Sequence, residues 1–391
     1  MDKQALNSRF RESFSCDAQL FARAPGRVNL LGEHVDYNDG WVLPAAIDRT
    51  VQLAAAPRSD GLVRLHALDL DAEVVFNLES LDARLDVDGQ PLPSWAMYPA
   101  GVAWVLRGKQ RLVKGMEGWF TSDIPIGSGL SSSAAVLTAF AAMWQALGGW
   151  EVDNLTLARL CQEAENRYVG VNCGLMDQFA SANGVEGSVL FFDTRSLQWY
   201  PLPLPQQTVI IVADSGVRRS LANSAYNERR AACEQAVEGL RQHLPGIRAL
   251  RDVTPDQFAR FSSGLPELVA RRARYVVEEC ARVQQALVLL QNGDAVGFGQ
   301  LMFQTHAGLR DLYEVSCPEL DALVDIASAQ PGCFGARLTG AGFGGCTVNL
   351  VAEAAAEDFI RNLAQGYFER TGLKSEVYLC RASRGTVVIK N

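Results

Sequence analysis

Residues 24–40, APGRVNLLGEHVDYNDG, place four ionisable side chains close together in a segment with apolar flanks. These side chains are Arg27, Glu33, His34 and Asp36. An arginine binds phosphate or stabilises a neighbouring anion, while carboxylates and an imidazole suit the several hydroxyl groups of a sugar. A surface turn with a structural salt bridge would also account for them. A metal site is not expected, because the whole chain has only four histidines.

A second motif lies at residues 124–137, where IPIGSGLSSSAAVL carries two glycines and three serines before a strongly helical run. Gly127 and Gly129 allow backbone conformations that a side chain would block, and the first N–H groups of the following helix attract an anion. The motif predicts a phosphate-binding loop whose serine hydroxyls are available to phosphate or magnesium. Taken alone, a glycine turn with a serine N-cap is about equally expected. No GK[ST] follows, so the motif is not a P-loop.

Two carboxylates follow this helical run. Asp177 lies in NCGLMDQFAS at residues 172–181 and is a candidate general base, and Glu165 precedes it in EAENRY. On residue type alone, a role as a helix N-cap or a surface group is favoured over a role as a base by about two to one for Asp177. Glu165 would likewise be a solvated helix residue unless a metal binds there.

A glycine-rich stretch, LTGAGFGGCTVNLV at residues 338–351, forms a short loop that leads into a strand. Its glycines do not open a helix within a βαβ unit, which disfavours a dinucleotide-binding Rossmann site. Close approach of the backbone to another backbone or to a ligand explains them better. The glycines are Gly340, Gly342, Gly344 and Gly345.

The composition is that of an ordinary globular protein, with 48% hydrophobic and 20% charged residues. A chain of 391 residues is longer than one hydrophobic core usually organises, so two lobes are expected, with a small-molecule ligand between them. The 36 basic and 44 acidic residues give a formal charge of -8 without long runs of like charge, which disfavours nucleic-acid and membrane partners. Nine scattered cysteines, and no apolar segment typical of a secretory signal or membrane span, predict a cytoplasmic protein with reduced thiols.

The order of predicted elements indicates an α+β fold in two lobes. Short β-prone runs separated by Gly, Asp and Pro predict a strand-rich region at residues 52–123. Further strands are predicted in SVLFFD, TVIIVAD, CTVNLV and EVYLC. The proline-containing segment 201–205 divides the chain into an N-terminal lobe, residues 1–203, and a C-terminal lobe, residues 204–391. Helices are predicted at residues 131–147, 225–242, 265–290, 294–312 and 318–329.

Together the motifs resemble those of the GHMP kinases, and GRVNLLGEHVDY matches the signature of the galactokinase branch of that family. The likeness continues through SWAMYPAGV, EAENRYVGVNCGLMDQ, SLANSAYNERR and SCPELDALV and covers nearly the whole chain. It implies two α+β lobes with ATP and sugar meeting between them. It also implies transfer of the γ-phosphate of MgATP to the C1 hydroxyl of galactose. For the oligomeric state, a monomer is favoured.

The resemblance also implies roles for individual residues. Asp177 is expected to be the base for the C1 hydroxyl, and Arg27 to stabilise the alkoxide and the γ-phosphate. An aspartate beside an arginine keeps its charge and is a weak base, so the proton would move late. By the same resemblance Glu33, His34, Asp36, Gly174 and Tyr226 hold the sugar, Ser133 and Glu165 bind Mg²⁺, Trp95 and Tyr98 flank adenine, and Gly127, Ser128, Gly129, Leu130, Ser131 and Ser132 hold the phosphates.

Three positions depart from the family pattern. Ala341 stands where glycine is usual, and Met97 and Pro99 replace the Asn and Val of WANYV, which leaves effects on ligand affinity open. Kinases for N-acetylgalactosamine or arabinose share the scaffold, but YNDG after GEHVD favours galactose. A non-catalytic sensor that binds sugar and nucleotide is disfavoured, because GLSSSAA is complete and Arg27 and Asp177 are both present.

Overall fold

The computed structural model describes residues 3–125, 127–218 and 222–391 of the chain. Ile126 of the phosphate-loop motif lies outside the described residues, as do residues 219–221, which include the start of SLANSAYNERR. No helix within the described ranges is long and apolar enough to cross a membrane.

Three β-sheets organise the fold, and the predicted strand-rich region supplies most of the largest one. Strands at Leu62–Ala67 and Ala72–Asn77 alternate buried and more exposed side chains, as expected of a sheet with one face on the core. The strands are β1 (Leu20–Asn29), β2 (Trp41–Val42), β3 (Pro44–Arg58), β4 (Leu62–Ala67), β5 (Ala72–Asn77), β6 (Gly115–Ser122), β7 (Ser188–Asp193), β8 (Trp199–Pro203), β9 (Thr208–Asp214), β10 (Cys333–Thr339), β11 (Cys346–Ala352), β12 (Glu376–Cys380) and β13 (Val387–Lys390).

The largest sheet has the strand order β13-β1-β3-β6-β4-β5 and is antiparallel except for the parallel pair β4 and β6. A four-stranded antiparallel sheet has the order β10-β11-β9-β12, and a third sheet joins β2, β7 and β8. β13 pairs with β1, so the end of the chain returns to the first sheet. One strand beyond residue 203 thus belongs to the sheet of the predicted N-terminal lobe. The boundary between two lobes at residue 203 stays a prediction.

Helices pack on these sheets, and the predicted α+β class is confirmed. The predicted helices form with ends that differ from the expected ones by at most three residues. Several observed helices are not among those predicted, and one of them, Met97–Gly108, contains Pro99. Pro99 stands in its first turn, where a missing N–H has no partner to lose. The helices are α1 (Lys3–Phe14), α2 (Met97–Gly108), α3 (Ser132–Gly148), α4 (Asn154–Ala164), α5 (Met176–Asn183), α6 (Ala222–Leu240), α7 (Pro255–Phe261), α8 (Glu267–Gln291), α9 (Ala295–Asp311), α10 (Pro318–Ser328) and α11 (Ala356–Thr371).

The glycine-rich loop joins the antiparallel strands β10 and β11, so it does not form a Rossmann unit. Gly340 and Gly345 adopt positive φ angles of 86° and 82°. A Cβ on Gly340 would stand 3.0 Å from the carbonyl oxygen of Gly129, and one on Gly345 would stand 2.9 Å from that of Ser128. The predicted close approach of two backbones is confirmed, and it brings the glycine-rich loop against the phosphate-loop motif.

Gly299 of α9 lies directly against the backbone of β10 at Phe334. A methyl group there would overlap the Phe334 carbonyl, so Gly299→Ala is expected to lower the free energy of unfolding by about 1–3 kcal/mol. Urea unfolding followed by circular dichroism measures the change. Gly108→Ala, where the added methyl meets no atom within 4 Å, is the matched control and should alter stability by less than about 1 kcal/mol. Equal stability of the two variants would contradict this packing.

Candidate active site

A cavity of about 250 Å³ opens where the first motif, α5, α6 and the glycine-rich loop meet. Its mixture of polar and charged walls suits a small polar molecule. The cavity is lined by every residue predicted to act on or hold the sugar: Arg27, Glu33, His34, Asp36, Gly174, Asp177 and Tyr226. Further lining residues that were not predicted to bind the sugar include Asn172, Cys173, Met176, Asn227 and Ala341.

Arg27 and Asp177 form an ion pair in the cavity wall. Arg27 follows an irregularity in β1, and its Nε and Nη2 donate to Asp177 Oδ1 and Oδ2 at 2.8 and 2.7 Å. Its Nη1 donates to the carbonyl oxygen of Gly129 at 2.5 Å. The hydroxyl of Ser131 donates to Asp177 Oδ2, also at 2.5 Å. Asp177 lies in the first turn of α5, so the pair ties β1, α5 and the phosphate loop together.

Glu33 is held by protein contacts as well as facing the cavity. Its Oε2 accepts a hydrogen bond from the Nη2 of Arg337 and another from the backbone N–H of Gly340 at 3.0 Å. Arg337 is fully buried in β10 and also donates to the carbonyl oxygen of Asn29 at 3.0 Å. The sequence motifs did not point to Arg337. The only signal for it is a lone arginine within the strand CFGARLT.

His34 is a buried, neutral residue in the cavity wall. Burial lowers its pKa to about 3, although its contact with the Ala341 carbonyl favours the protonated form. Nε2 lies 3.2 Å from that carbonyl oxygen and Nδ1 lies 2.9 Å from the hydroxyl of Tyr37. A carbonyl can only accept, so Nε2 carries the hydrogen and Nδ1 accepts from Tyr37. The Tyr226 ring packs on His34 with a centroid separation of 5.6 Å.

The surroundings of Asp36 disfavour the ionised form of its carboxyl group. Burial raises its pKa to about 7, and the nearby charges of Asp177 and Glu33 contribute in the same direction. A carboxyl in this state is partly protonated near neutrality and can then donate as well as accept a hydrogen bond. A side chain at Gly174 would collide with the Asp36 carboxylate, so glycine there leaves the space that this group occupies.

The phosphate-loop motif turns sharply before α3. Gly127, Gly129 and Ser131 have positive φ angles of 68°, 81° and 60°. The hydroxyl of Ser128 donates to the carbonyl oxygen of Pro125 at 2.7 Å, and the Leu130 side chain is buried in the core. Backbone groups of both residues are also used within the protein, since the Ser128 N–H donates to the Pro125 carbonyl at 3.4 Å and the Leu130 carbonyl accepts from the Arg27 N–H at 3.0 Å. Ser132 and Ser133, which open α3, are half-buried.

Glu165 begins a π-helical turn, Glu165–Val169, that continues α4. Burial and the charge of Asp177 raise its pKa to about 7, while hydrogen bonds involving Ser133 and Gln178 act in the opposite direction. The Gln178 Nε2 donates to Glu165 Oε2 at 2.5 Å. Among the described residues, no group of three or more His, Cys, Asp or Glu side chains is arranged to hold a metal ion. A cation here would therefore need oxygen ligands from a bound substrate.

The residues expected to flank adenine lie at the start of α2. Trp95 and Tyr98 are half-buried against the hydrophobic core between the largest sheet and α3, and the Trp95 ring centroid is 5.7 Å from that of Phe120. Burial raises the pKa of Tyr98, with a smaller contribution from the charge of Glu165. Met97, one of the departures from the family pattern, packs against the same core. Because the charge of Glu165 acts on Tyr98, Tyr98 lies on the Glu165 side of the site.

Three family signatures match the chain. The galactokinase galactose-binding signature matches residues 8–57, the GHMP kinase N-terminal domain matches residues 97–185, and the GHMP kinase C-terminal domain matches residues 286–369. The fold is shared by a mevalonate kinase from Methanococcus jannaschii, with a TM-score of 0.67 and 19% identity over 94% of this chain and 99% of that chain. Fold and site define a GHMP kinase.

Galactokinases from Roseiflexus sp. (strain RS-1) and Chloroflexus aurantiacus are 45% and 44% identical to the chain, over 98% and 97% of its length and 97% and 96% of theirs. The chain therefore belongs to the galactokinase family, which confirms the resemblance of its motifs. The structure of Lactococcus lactis galactokinase complexed with galactose is similar over 98% of this chain and 99% of that chain, with a TM-score of 0.92 and 33% identity.

Asp36→Asn tests the electrostatic description of the cavity. The pKa of Asp36 rises from 3.8 to about 7 on folding, so its contribution to stability is present below the lower value and is lost as pH rises through the higher one. Asparagine stays neutral, and the stability of the variant relative to the wild type should increase by up to about 4 kcal/mol between about pH 4 and pH 8. Urea unfolding at each pH measures the difference.

The exposed Asp71, which adopts a left-handed conformation that asparagine tolerates, provides the control. The stability of Asp71→Asn relative to the wild type should change little over the same pH range. A difference for Asp36→Asn that does not vary with pH would contradict the raised pKa.

Proposed function

We propose that this protein phosphorylates galactose: it transfers the γ-phosphate of ATP to the C1 hydroxyl of α-D-galactose, giving galactose 1-phosphate and ADP. The observation that carries the proposal is the Arg27–Asp177 ion pair, which faces the cavity and contacts the phosphate loop through Gly129 and Ser131. Membership of the galactokinase family and the likeness to a galactokinase complexed with galactose support this choice of sugar.

Asp177 receives the proton of the C1 hydroxyl. Its two oxygens already accept three hydrogen bonds from Arg27 and Ser131. A carboxylate offers about four lone-pair sites, so about one is left for the sugar hydroxyl. Because these hydrogen bonds stabilise its negative charge, the carboxylate is a weak base. The proton therefore moves late, once the bond between the C1 oxygen and phosphorus has begun to form. Arg27 stabilises the negative charge that develops on the C1 oxygen and the transferred phosphate.

The remaining cavity residues orient the sugar. Glu33 and Asp36 offer carboxyl oxygens to its hydroxyls, and Tyr226 offers a hydroxyl of its own. His34 shapes the pocket between Tyr226 and the Ala341 carbonyl. Gly174 keeps the space for the Asp36 carboxylate. Positioning of this kind supplies much of the rate in phosphoryl transfer, which needs little covalent chemistry from the protein.

The nucleotide is held by the phosphate loop, from Gly127 to Ser132, with Trp95 and Tyr98 beside adenine. Ser133 and Glu165 hold Mg²⁺, and the fit is supported by the chemistry of the donors: a hydroxyl and a buried carboxylate for which the described part of the chain shows no salt bridge. Mg²⁺ prefers such oxygen ligands together with substrate phosphates. When bound, it would neutralise phosphate charge during transfer.

The cellular setting is proposed on independent grounds. All nine cysteines lie within the described residues and are free thiols, and burial raises the pKa of most of them. Thiols of this kind are typical of a reducing compartment, so we place the protein in the cytoplasm. We further propose that the protein is a monomer whose small-molecule partners are galactose and ATP. Its two lobes meet near residue 203.

Asp177→Asn should preserve the shape of the cavity and lower kcat about a hundredfold or more, as expected on loss of a general base. Galactose affinity, measured by calorimetry, should change by less than about fivefold, because the substitution keeps the side-chain volume. Single-turnover phosphate transfer isolates the chemical step. Asp71→Asn, far from the site in sequence and exposed, should behave as the wild type. A near-normal single-turnover rate would leave Asp177 as a structural residue.

The choice of sugar is tested by kcat/KM for galactose, glucose, arabinose and N-acetylgalactosamine with ATP. Galactose differs from glucose in its axial C4 hydroxyl, and a buried carboxyl such as Asp36 is left unsatisfied by the wrong epimer. Discrimination by such groups reaches about 10⁴-fold, so glucose should be a poor substrate. Asp36→Ala should lose most activity on galactose and narrow the preference over glucose.

Two outcomes would overturn the assignment. Equal use of glucose, arabinose or N-acetylgalactosamine by the wild-type protein would leave only a general sugar kinase. Binding of galactose and ATP without turnover would indicate a sensor instead of an enzyme.

A further inference from the structure

Gln178 connects two parts of the site that carry different ligands. It follows Asp177 in α5, and its side chain is completely buried. Its Nε2 donates to Glu165 Oε2 at 2.5 Å and to the sulfur of Cys173 at 3.4 Å. Its Oε1 has no hydrogen-bond partner within the described ranges. A half-satisfied buried amide is costly, and such a group calls for an explanation beyond packing.

Cys173 belongs to the loop that lines the sugar cavity, and amide side chains hold its polar atoms. Its backbone N–H and its thiol donate to Asn166 Oδ1 at 3.1 and 3.2 Å. Its carbonyl oxygen accepts from Gln162 Nε2 at 3.2 Å and from Asn166 Nδ2 at 3.4 Å. Asn166 is the neighbour of Glu165 in the π-helical turn. The position of the loop is thus tied to the segment that carries Glu165.

The same loop bears on Asp36 from the opposite side. Gly174 follows Cys173 and lies so close to the Asp36 carboxylate that even a methyl group would not fit. A displacement of the loop at Cys173 therefore changes the space around a sugar-facing carboxyl. The chain of contacts runs from Glu165 through Gln178 and Cys173 to Asp36.

We propose that Gln178 is a positioning residue that couples the binding of the magnesium-bound nucleotide to the binding of the sugar. This rests on the proposed function, in which Glu165 holds Mg²⁺. Fixing Glu165 on a cation fixes the amide of Gln178, and with it the Cys173 loop and the first turn of α5. The first ligand then bears the ordering cost, and the second binds more tightly, which is positive cooperativity in both directions.

Calorimetric titration of galactose, with and without saturating Mg·ADP, measures the coupling without turnover. Galactose should bind the wild-type protein about fivefold or more tightly in the presence of Mg·ADP. Gln178→Met keeps a side chain of similar length but removes both donated hydrogen bonds, and the ratio of the two dissociation constants should fall to about one. Its thermal unfolding midpoint should stay close to that of the wild type, because the unpartnered oxygen is removed as well.

Gln162→Ala is the matched control, since it deletes the side-chain hydrogen bond to the Cys173 carbonyl and keeps the backbone hydrogen bond from the Glu165 N–H to the Gln162 carbonyl. It should retain the tighter binding of galactose with Mg·ADP. Three results would overturn the proposal: no coupling in the wild-type protein, full coupling in Gln178→Met, or equal loss of coupling in Gln162→Ala. The last result would mean that any loosening of the loop has the same effect.

Glu165→Gln separates this inference from the proposed function. The substitution should raise the magnesium concentration needed for the half-maximal rate and leave binding of galactose alone intact. An unchanged magnesium dependence would reject Glu165 as a ligand and the coupling route with it. A raised requirement, together with full coupling in Gln178→Met, would reject the role of Gln178 only.

Discussion

The ion pair between Arg27 and Asp177 is the interaction on which the rest of the site depends. Its partners are 150 positions apart in the chain, and the Arg27 side chain is almost completely buried. Removing either partner of a buried pair leaves an uncompensated charge, which is far more costly than the pair itself. Because the pair also contacts Gly129 and Ser131, it fixes the position of the phosphate loop relative to the cavity.

Several buried carboxyl groups surround this pair. Asp36 and Glu165 both have a pKa raised to about 7 by burial, and the charge of Asp177 adds to both. Glu33, by contrast, is paired with the buried Arg337. Carboxyl groups kept in so unfavourable a state are typical of functional sites, where bound hydroxyls or a cation compensate for the lost hydration. The arrangement agrees with a site for a sugar and a metal-bound nucleotide.

Several residues that line the cavity could be predicted to lie together because they stand in compact motifs. Arg27, Glu33 and Asp36 fall within ten positions of one another, and all of them line the cavity. The long helices could be predicted from apolar spacing. Arg337 and Gln178 could not, since the role of each depends on a partner on another element.

By itself, the sequence determined the α+β class, the family and the chemical types at the site, because these reside in local motifs and in hydrophobic periodicity. Only the tertiary structure decided which groups share one environment. It turned the Ser128 hydroxyl and the Leu130 side chain inward, brought β13 back to β1, and set Glu165 against Gln178. Burial and the distance between charges set pKa values and hydrogen-bond partners, and both are properties of the packed chain that no local stretch of sequence contains.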